Sequence, residues 1–313
     1  MEALLKGRNL INLEDYDVRE IDALVDEAMR LKEELAQTGR HERKPLADKH
    51  IILYFEKKSL RTRVSFEIGC RQLGGNPVFL PADNTHAGRG EPLRDTARVL
   101  ERYSHGIVYR AYRHEDIVEM AAFYDPPVIN ALCDRAHPCQ ALADIMTMYE
   151  RKGRNAKIRL AYVGDSNNVS NSLLVTCSKM GIDISVACPG GYQPNGSFLE
   201  MVRRFAEKSG SDVRVTDSPE EGVQGADFVY TDVWVSMGME EEEKERREAF
   251  SDFCVDEKLM DAAGPDALFM HDLPAHREEE VQGKVIDGPR SIVFDQAENR
   301  LHAHKAVMSL LIG

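Results

Sequence analysis

The chain has 313 residues, 42% hydrophobic and 30% charged, the make-up of a globular protein that is too long for one typical core, so two domains are expected. Lys plus Arg number 40 against 53 Asp plus Glu, a net charge of −13, which argues against nucleic acid or an anionic membrane as the main partner. Any anion site in such a chain must gather its arginines locally.

Residues 14–38 carry Ile21, Leu24, Val25, Ala28 and Leu31 at helical spacing, with Gly39 as a stop. His50–Phe55 is a short apolar run rich in β-formers, which predicts a buried strand. A polar turn and a helix to Leu73 follow, ended by Gly74-Gly75. Val78–Leu80 reads as a strand and Leu93–Tyr103 as a helix. Gly106–Tyr109, Pro127–Ala131, Ile158–Val163, Ile182–Ala187, Asp227–Tyr230 and Ala267–Met270 are further strands, most of them separated by helices. Pro138–Lys152 and Gln296–Leu311 read as helices, and the acidic run Glu240–Glu243 as a solvated helix start.

Alternating strands and helices imply an α/β protein with two doubly wound domains, each on a mainly parallel sheet, joined by helices. The expected division is 1–137 and 138–294, with the helix of 295–313 packing back on the first domain. The six cysteines are scattered without a C-x-x-C pair, so neither a disulfide framework nor a zinc site is expected. Without a secretory stretch or an apolar run of bilayer length, the expected location is cytoplasmic.

Ligands of open parallel sheets bind beyond the carboxyl ends of the strands. After the strand ending at Phe55 comes Ser59-Leu60-Arg61-Thr62-Arg63, a hydroxyl and two guanidiniums at a helix N-terminus. Free backbone N–H groups, the helix dipole and bidentate arginines all favour phosphate there. A basic turn capped by Ser59 is the plainer alternative. Further on stands His137-Pro138-Cys139-Gln140-Ala141-Leu142-Ala143-Asp144, which follows a strand and opens a helix.

The first segment resembles the S-T-R-T-R motif, and the second the H-P-x-Q-A-L-x-D motif, of the aspartate and ornithine transcarbamoylase family. The similarity runs through both halves of the chain. It implies a transferase that uses carbamoyl phosphate, with no metal and no organic cofactor. On that resemblance Ser59, Leu60, Arg61, Thr62, Arg110 and Arg300 grip the phosphate. His137, Pro138, Cys139 and Gln140 hold the carbamoyl end, and Arg61, Arg110, His137 and Asp272 are the catalytic set. His86, in the loop that reaches a neighbouring subunit in this family, Asp272 and Leu273 complete the carbamoyl phosphate contacts. The family unit is a homotrimer, so self-association is expected, with no nucleic acid and no membrane partner.

The second substrate is read from Asp232-Val233-Trp234-Val235-Ser236-Met237-Gly238, which resembles the D-x-x-x-S-M-G loop of the ornithine branch. Asp232 and Ser236 suit an α-ammonium; Asn168 and the Met237 N–H suit an α-carboxylate. A loop for the second carboxylate of aspartate would carry arginine or lysine instead. The chain departs from the branch at three positions: Asp272 stands for the usual cysteine of H-C-L-P, Leu60 for threonine and His86 for glutamine. The expected reaction is carbamoyl transfer to the terminal amine of ornithine, giving citrulline for arginine biosynthesis. The alternatives are transfer to another amine (acylated ornithine, putrescine or lysine) and a catalytically weak regulatory paralogue.

Overall fold

The computed structural model describes residues 5–82, 90–235 and 240–313. The chain forms two compact units, Met1–Met146 with Glu298–Gly313, and Thr147–Ala297.

The first unit holds a four-stranded parallel sheet in the order β2-β1-β3-β4, formed by β1 (His50–Phe55), β2 (Asn76–Pro81), β3 (Gly106–Arg110) and β4 (Val128–Leu132). Burial on both faces explains the unbroken apolar runs of β1 and β3. Helix α1 (Val18–Thr38) begins four residues later than its periodicity indicates, because Asp17 and Glu20 form a capping box there. Helices α2 (Arg61–Gln72), α3 (Leu93–Glu101) and α4 (His114–Phe123) connect the strands. Phe55 is in register with Arg110, so the loops after β1 and β3 leave the sheet side by side. The last residues of the chain pack over the start of β3. A Cβ on Gly106 would come within 2.5 Å of the Ile312 side chain, so only glycine permits that approach.

Helix α5 (Pro138–Lys152) follows β4. The second unit holds a five-stranded parallel sheet, β7-β6-β5-β8-β9, built from β5 (Arg159–Val163), β6 (Asp183–Ala187), β7 (Val213–Thr216), β8 (Phe228–Tyr230) and β9 (Leu268–Met270). Its helices are α6 (Asn168–Met180), α7 (Gly196–Ser209), α8 (Pro219–Val223), α9 (Glu243–Ala249), α10 (Glu257–Ala263) and α11 (Gly283–Ile286), and α12 (Val293–Leu311) ends the chain. Strand β7 escapes sequence reading because V-R-V-T lies at the sheet edge, is only partly buried and never forms an apolar run. Its core gathers Trp234, Phe250, Phe253 and Phe269. Tyr162 on β5 is in register with Tyr230 on β8, so the loops after these strands also emerge together.

Among the described residues no helix is long and apolar enough to cross a membrane. Leu53, wholly buried in β1, tests the first core. Leu53→Ala is expected to cost about 3 kcal/mol in urea unfolding followed by circular dichroism.

Candidate active site

In the first unit the Thr62 N–H donates to Ser59 Oγ at 3.3 Å, which satisfies one free donor at the start of α2. Leu60 holds the cap position without a side-chain bond and is 72% exposed, so what it offers the site is its backbone. Arg61 opens the helix, half-buried. Thr62 is turned inward and buried. Its Oγ1 accepts from Arg300 Nη2 at 2.6 Å and, more weakly, from Arg110 Nη1 at 3.5 Å. With both lone pairs engaged, the hydroxyl keeps its proton for a third group. Arg110 ends β3, Arg300 lies on α12, and both are buried. Arg63 serves the fold instead, stacking over Phe79 at 3.6 Å and pairing with Glu67 at 3.6 Å.

His137 and Gln140 are buried at the start of α5, where Pro138 suits the first helical position. Burial pushes the His137 imidazole well below its ordinary pKa, and Arg300, Arg110 and His304 add to the effect. It is therefore neutral at pH 7, with one donor and one acceptor. Gln140 Nε2 donates to Asp144 Oδ1 at 2.8 Å. That bond fixes the amide and leaves its Oε1 as a buried acceptor without a donor among the described residues. Cys139 turns its thiol to the Asn130 carbonyl at 3.5 Å, and burial pushes that thiol up to about 12, so it is an inert packing group. His304 stacks on Phe66 with centroids 3.8 Å apart and meets Ser65 Oγ at 2.8 Å, which holds α12 against α2.

In the second unit Asn167 caps α6: its Oδ1 accepts from the N–H groups of Val169 and Ser170, and its Nδ2 donates to Asp232 Oδ2 at 2.6 Å. Asn168, the next residue, is half-buried. Asp232 also accepts from the Val233 N–H at 2.8 Å. Asp272 hydrogen-bonds the Asp232 carboxyl, and burial first, then this like charge, raises the Asp232 pKa well above the usual range. A carboxyl out of water beside a like charge favours its protonated form. His271 is fixed between a Leu273 N–H donated to its Nδ1 at 2.9 Å and Glu280 Oε1, 3.1 Å from its Nε2. Asp232, His271 and Asp272 bring one ligand atom each within 4.8 Å of one another. Both imidazole nitrogens are committed, however, so the trio reads as a hydrogen-bonded set rather than a metal cage. Leu273 adopts a left-handed φ of 60°, a conformation that costs a leucine free energy and that its packing must offset. Arg246 ties the loops after β5 and β8, donating to Asp165 Oδ2 at 2.8 Å and to the Trp234 carbonyl at 3.2 Å.

Thus Ser59, Leu60, Arg61, Thr62, Arg110, His137, Gln140 and Arg300 fall in one unit, and Asn168, Asp232, Asp272 and Leu273 in the other. His86, Ser236 and Met237 lie outside the described residues. Sequence reading passed over Asn167, Glu280 and Arg246. Only Asn167 had a local signal, as an asparagine at the start of a helix.

The profile of the family described as "Aspartate/ornithine carbamoyltransferase, carbamoyl-P binding domain" matches residues 8–150, and that of its "Asp/Orn binding domain" matches residues 156–311. The chain belongs to the aspartate/ornithine carbamoyltransferase family. It is 52% identical over 275 residues to an ornithine carbamoyltransferase of Methanothermobacter thermautotrophicus, covering 88% of this chain and 91% of that one. It is 47% identical to the ornithine carbamoyltransferase of Bacillus subtilis, over 98% of this chain and 95% of that one. Among solved structures it resembles ornithine carbamoyltransferase from Pyrococcus furiosus, with a TM-score of 0.94 and 46% identity over 99% of this chain and 98% of that one.

For this carbamoyltransferase-family chain the carboxyl pair makes stability depend on pH. Asp232 keeps its proton to higher pH folded than unfolded. Its contribution is complete below the unfolded pKa of about 4 and is lost as pH rises through the folded value. Thermal unfolding of ligand-free protein between pH 5 and 8 is expected to show this fall. Asp272→Asn is expected to shrink it, by about 1.4 kcal/mol for each unit of pKa separation removed.

Proposed function

We propose that the protein transfers the carbamoyl group of carbamoyl phosphate to the terminal amine of L-ornithine, giving L-citrulline and phosphate in the biosynthetic direction. In this reading the unit of Met1–Met146 and Glu298–Gly313 binds carbamoyl phosphate, and that of Thr147–Ala297 binds ornithine. The observation that carries the reading is the convergence of Arg110 and Arg300 on the Thr62 hydroxyl, at a helix N-terminus of an otherwise acidic chain.

The phosphate takes the Ser59 and Thr62 hydroxyls, the Leu60 N–H and the guanidiniums of Arg61, Arg110 and Arg300, with His86 as a further donor. Neutral His137 donates to the carbonyl oxygen, aided by Arg61, as negative charge grows there. The Gln140 Oε1, a buried acceptor without a donor, takes the carbamoyl NH2. Pro138 and Cys139 set the helix start that presents these groups, and Leu273 contributes through its backbone. Asp232 and Ser236 receive the α-ammonium; Asn168 and the Met237 N–H receive the α-carboxylate. Asp272 accepts a proton from the terminal ammonium. The neutral amine then attacks the carbonyl carbon, the C–O bond to phosphate breaks, and the second amine proton leaves with phosphate as HPO4²⁻. No cofactor enters these steps.

Self-association as a homotrimer is part of the proposal. It is supported by the exposed stripe Leu60, Val64 and Ile68 along α2, beside the edge strand β2 with exposed Val78. A cytoplasmic location accords with six free cysteines.

Phosphate release with carbamoyl phosphate and a panel of amines is expected to be fastest with ornithine. Preference for putrescine, lysine or an acylated ornithine would overturn the acceptor assignment. The terminal amine, with a pKa of about 10.4, costs roughly 4–5 kcal/mol to deprotonate at pH 7, so the rate is expected to rise above neutral pH. Asp272→Cys should displace that profile, and a change in ornithine affinity alone would remove Asp272 from the catalytic set. Thr62→Val should weaken carbamoyl phosphate binding by about tenfold to a hundredfold in calorimetry.

A further inference from the structure

The segment after β9 brings three further donors together, apart from the residues assigned to substrate. The Glu279 N–H donates to the His276 carbonyl at 3.1 Å and the Glu278 N–H to the Val281 carbonyl at 2.8 Å, and this fold of the chain sets His276, Glu279 and Glu280 side by side. One ligand atom of each lies within 4.8 Å of the other two. Glu280 is wholly buried. Its Oε1 takes two donors, the His276 N–H at 2.6 Å and His271 Nε2 at 3.1 Å. Its Oε2 is buried too, yet has no hydrogen-bond partner among the described residues. Facing that oxygen at 3.8 Å is Nδ1 of His276, on a side chain that is 53% exposed. Glu279 is half-buried beside them, with its Oε1 accepting from Arg247 Nη2 at 2.8 Å.

A carboxylate oxygen out of water and without a donor is costly. A cation held between Glu280 Oε2 and His276 Nδ1 removes that cost, and the exposed imidazole gives it a way in. We propose that His276, Glu279 and Glu280 form a binding site for a divalent cation of the zinc class. One imidazole nitrogen and two carboxylate oxygens are a borderline donor set, which suits zinc, cobalt or nickel better than magnesium or calcium. Two ligands of a tetrahedral zinc stand about 3.3 Å apart, so a small rotation of His276 closes the set, with water in the fourth position. The trio of Asp232, His271 and Asp272 differs in that both its imidazole nitrogens are engaged. The His276 ring nitrogens make no hydrogen bond among the described residues. Glu280 links the ion to His271, and His271 accepts the Leu273 N–H, so an occupied site braces the loop that carries Asp272. The proposal does not depend on which amine is the acceptor.

The test uses the full chain, zinc chloride and cobalt(II) chloride. Calorimetry is expected to show one zinc per chain, and thermal unfolding a higher Tm with zinc than without. Cobalt(II) is expected to give visible d–d bands with no thiolate charge-transfer band in the near ultraviolet. His276→Ala and Glu279→Gln should each weaken zinc binding at least about tenfold. Both positions are partly exposed, so their metal-free Tm should stay within about 2 °C of the unaltered protein. Should His276→Ala fail to fold, Glu279→Gln decides the matter. Asp272→Asn is expected to keep the unaltered zinc affinity. Absence of binding at about 100 μM zinc, or unchanged affinity in either of the two site variants, would overturn the proposal. So would a thiolate band, which puts the ion on a cysteine, or loss of zinc in Asp272→Asn, which puts it on the Asp232 trio.

Discussion

The proposed phosphate site depends on holding like charges together. Arg110 and Arg300 are both buried and both donate to one threonine hydroxyl, with a neutral histidine nearby. Guanidiniums tolerate such crowding better than ammoniums, because their charge is spread and weakly hydrated. Much of the first unit can be read as the means of keeping them there. The parallel register sets Arg110 beside the β1 loop, and the Ile312–Gly106 contact and the Phe66–His304 stack fix the helix that brings Arg300.

The second unit poses the opposite electrostatic problem. Asp232 and Asp272 bring two carboxyls together, which favours the protonated form of Asp232, and the amide of Asn167 donates to it. A cationic amine entering such a pair meets both an attractive field and a proton acceptor. The opposed signs of the two sites match the opposed charges of the two proposed substrates, which net charge alone conceals. A chain of −13 can gather a locally positive cluster because only the nearest groups, out of reach of solvent screening, decide the local potential.

The sequence by itself determined the fold class, the parallel sheets and the candidate groups of the phosphate loop. Each follows from local pattern: apolar runs bounded by turns, and charged or hydroxylic residues just after a strand. It also contained the three departures at Leu60, His86 and Asp272, legible as soon as the motifs were. Only the tertiary structure decided which way those groups face. It turned the Cys139 thiol away to Asn130, gave Arg63 to Phe79, and left Gln140 with one buried acceptor unmet. It also gave Arg246 and Asn167 their parts, both of which arise from contacts between loops distant in sequence. The physical reason is that spacing along the chain fixes which element a residue joins, whereas hydrogen bonds and desolvation depend on what packs against it, and that is settled only when the strands find their order.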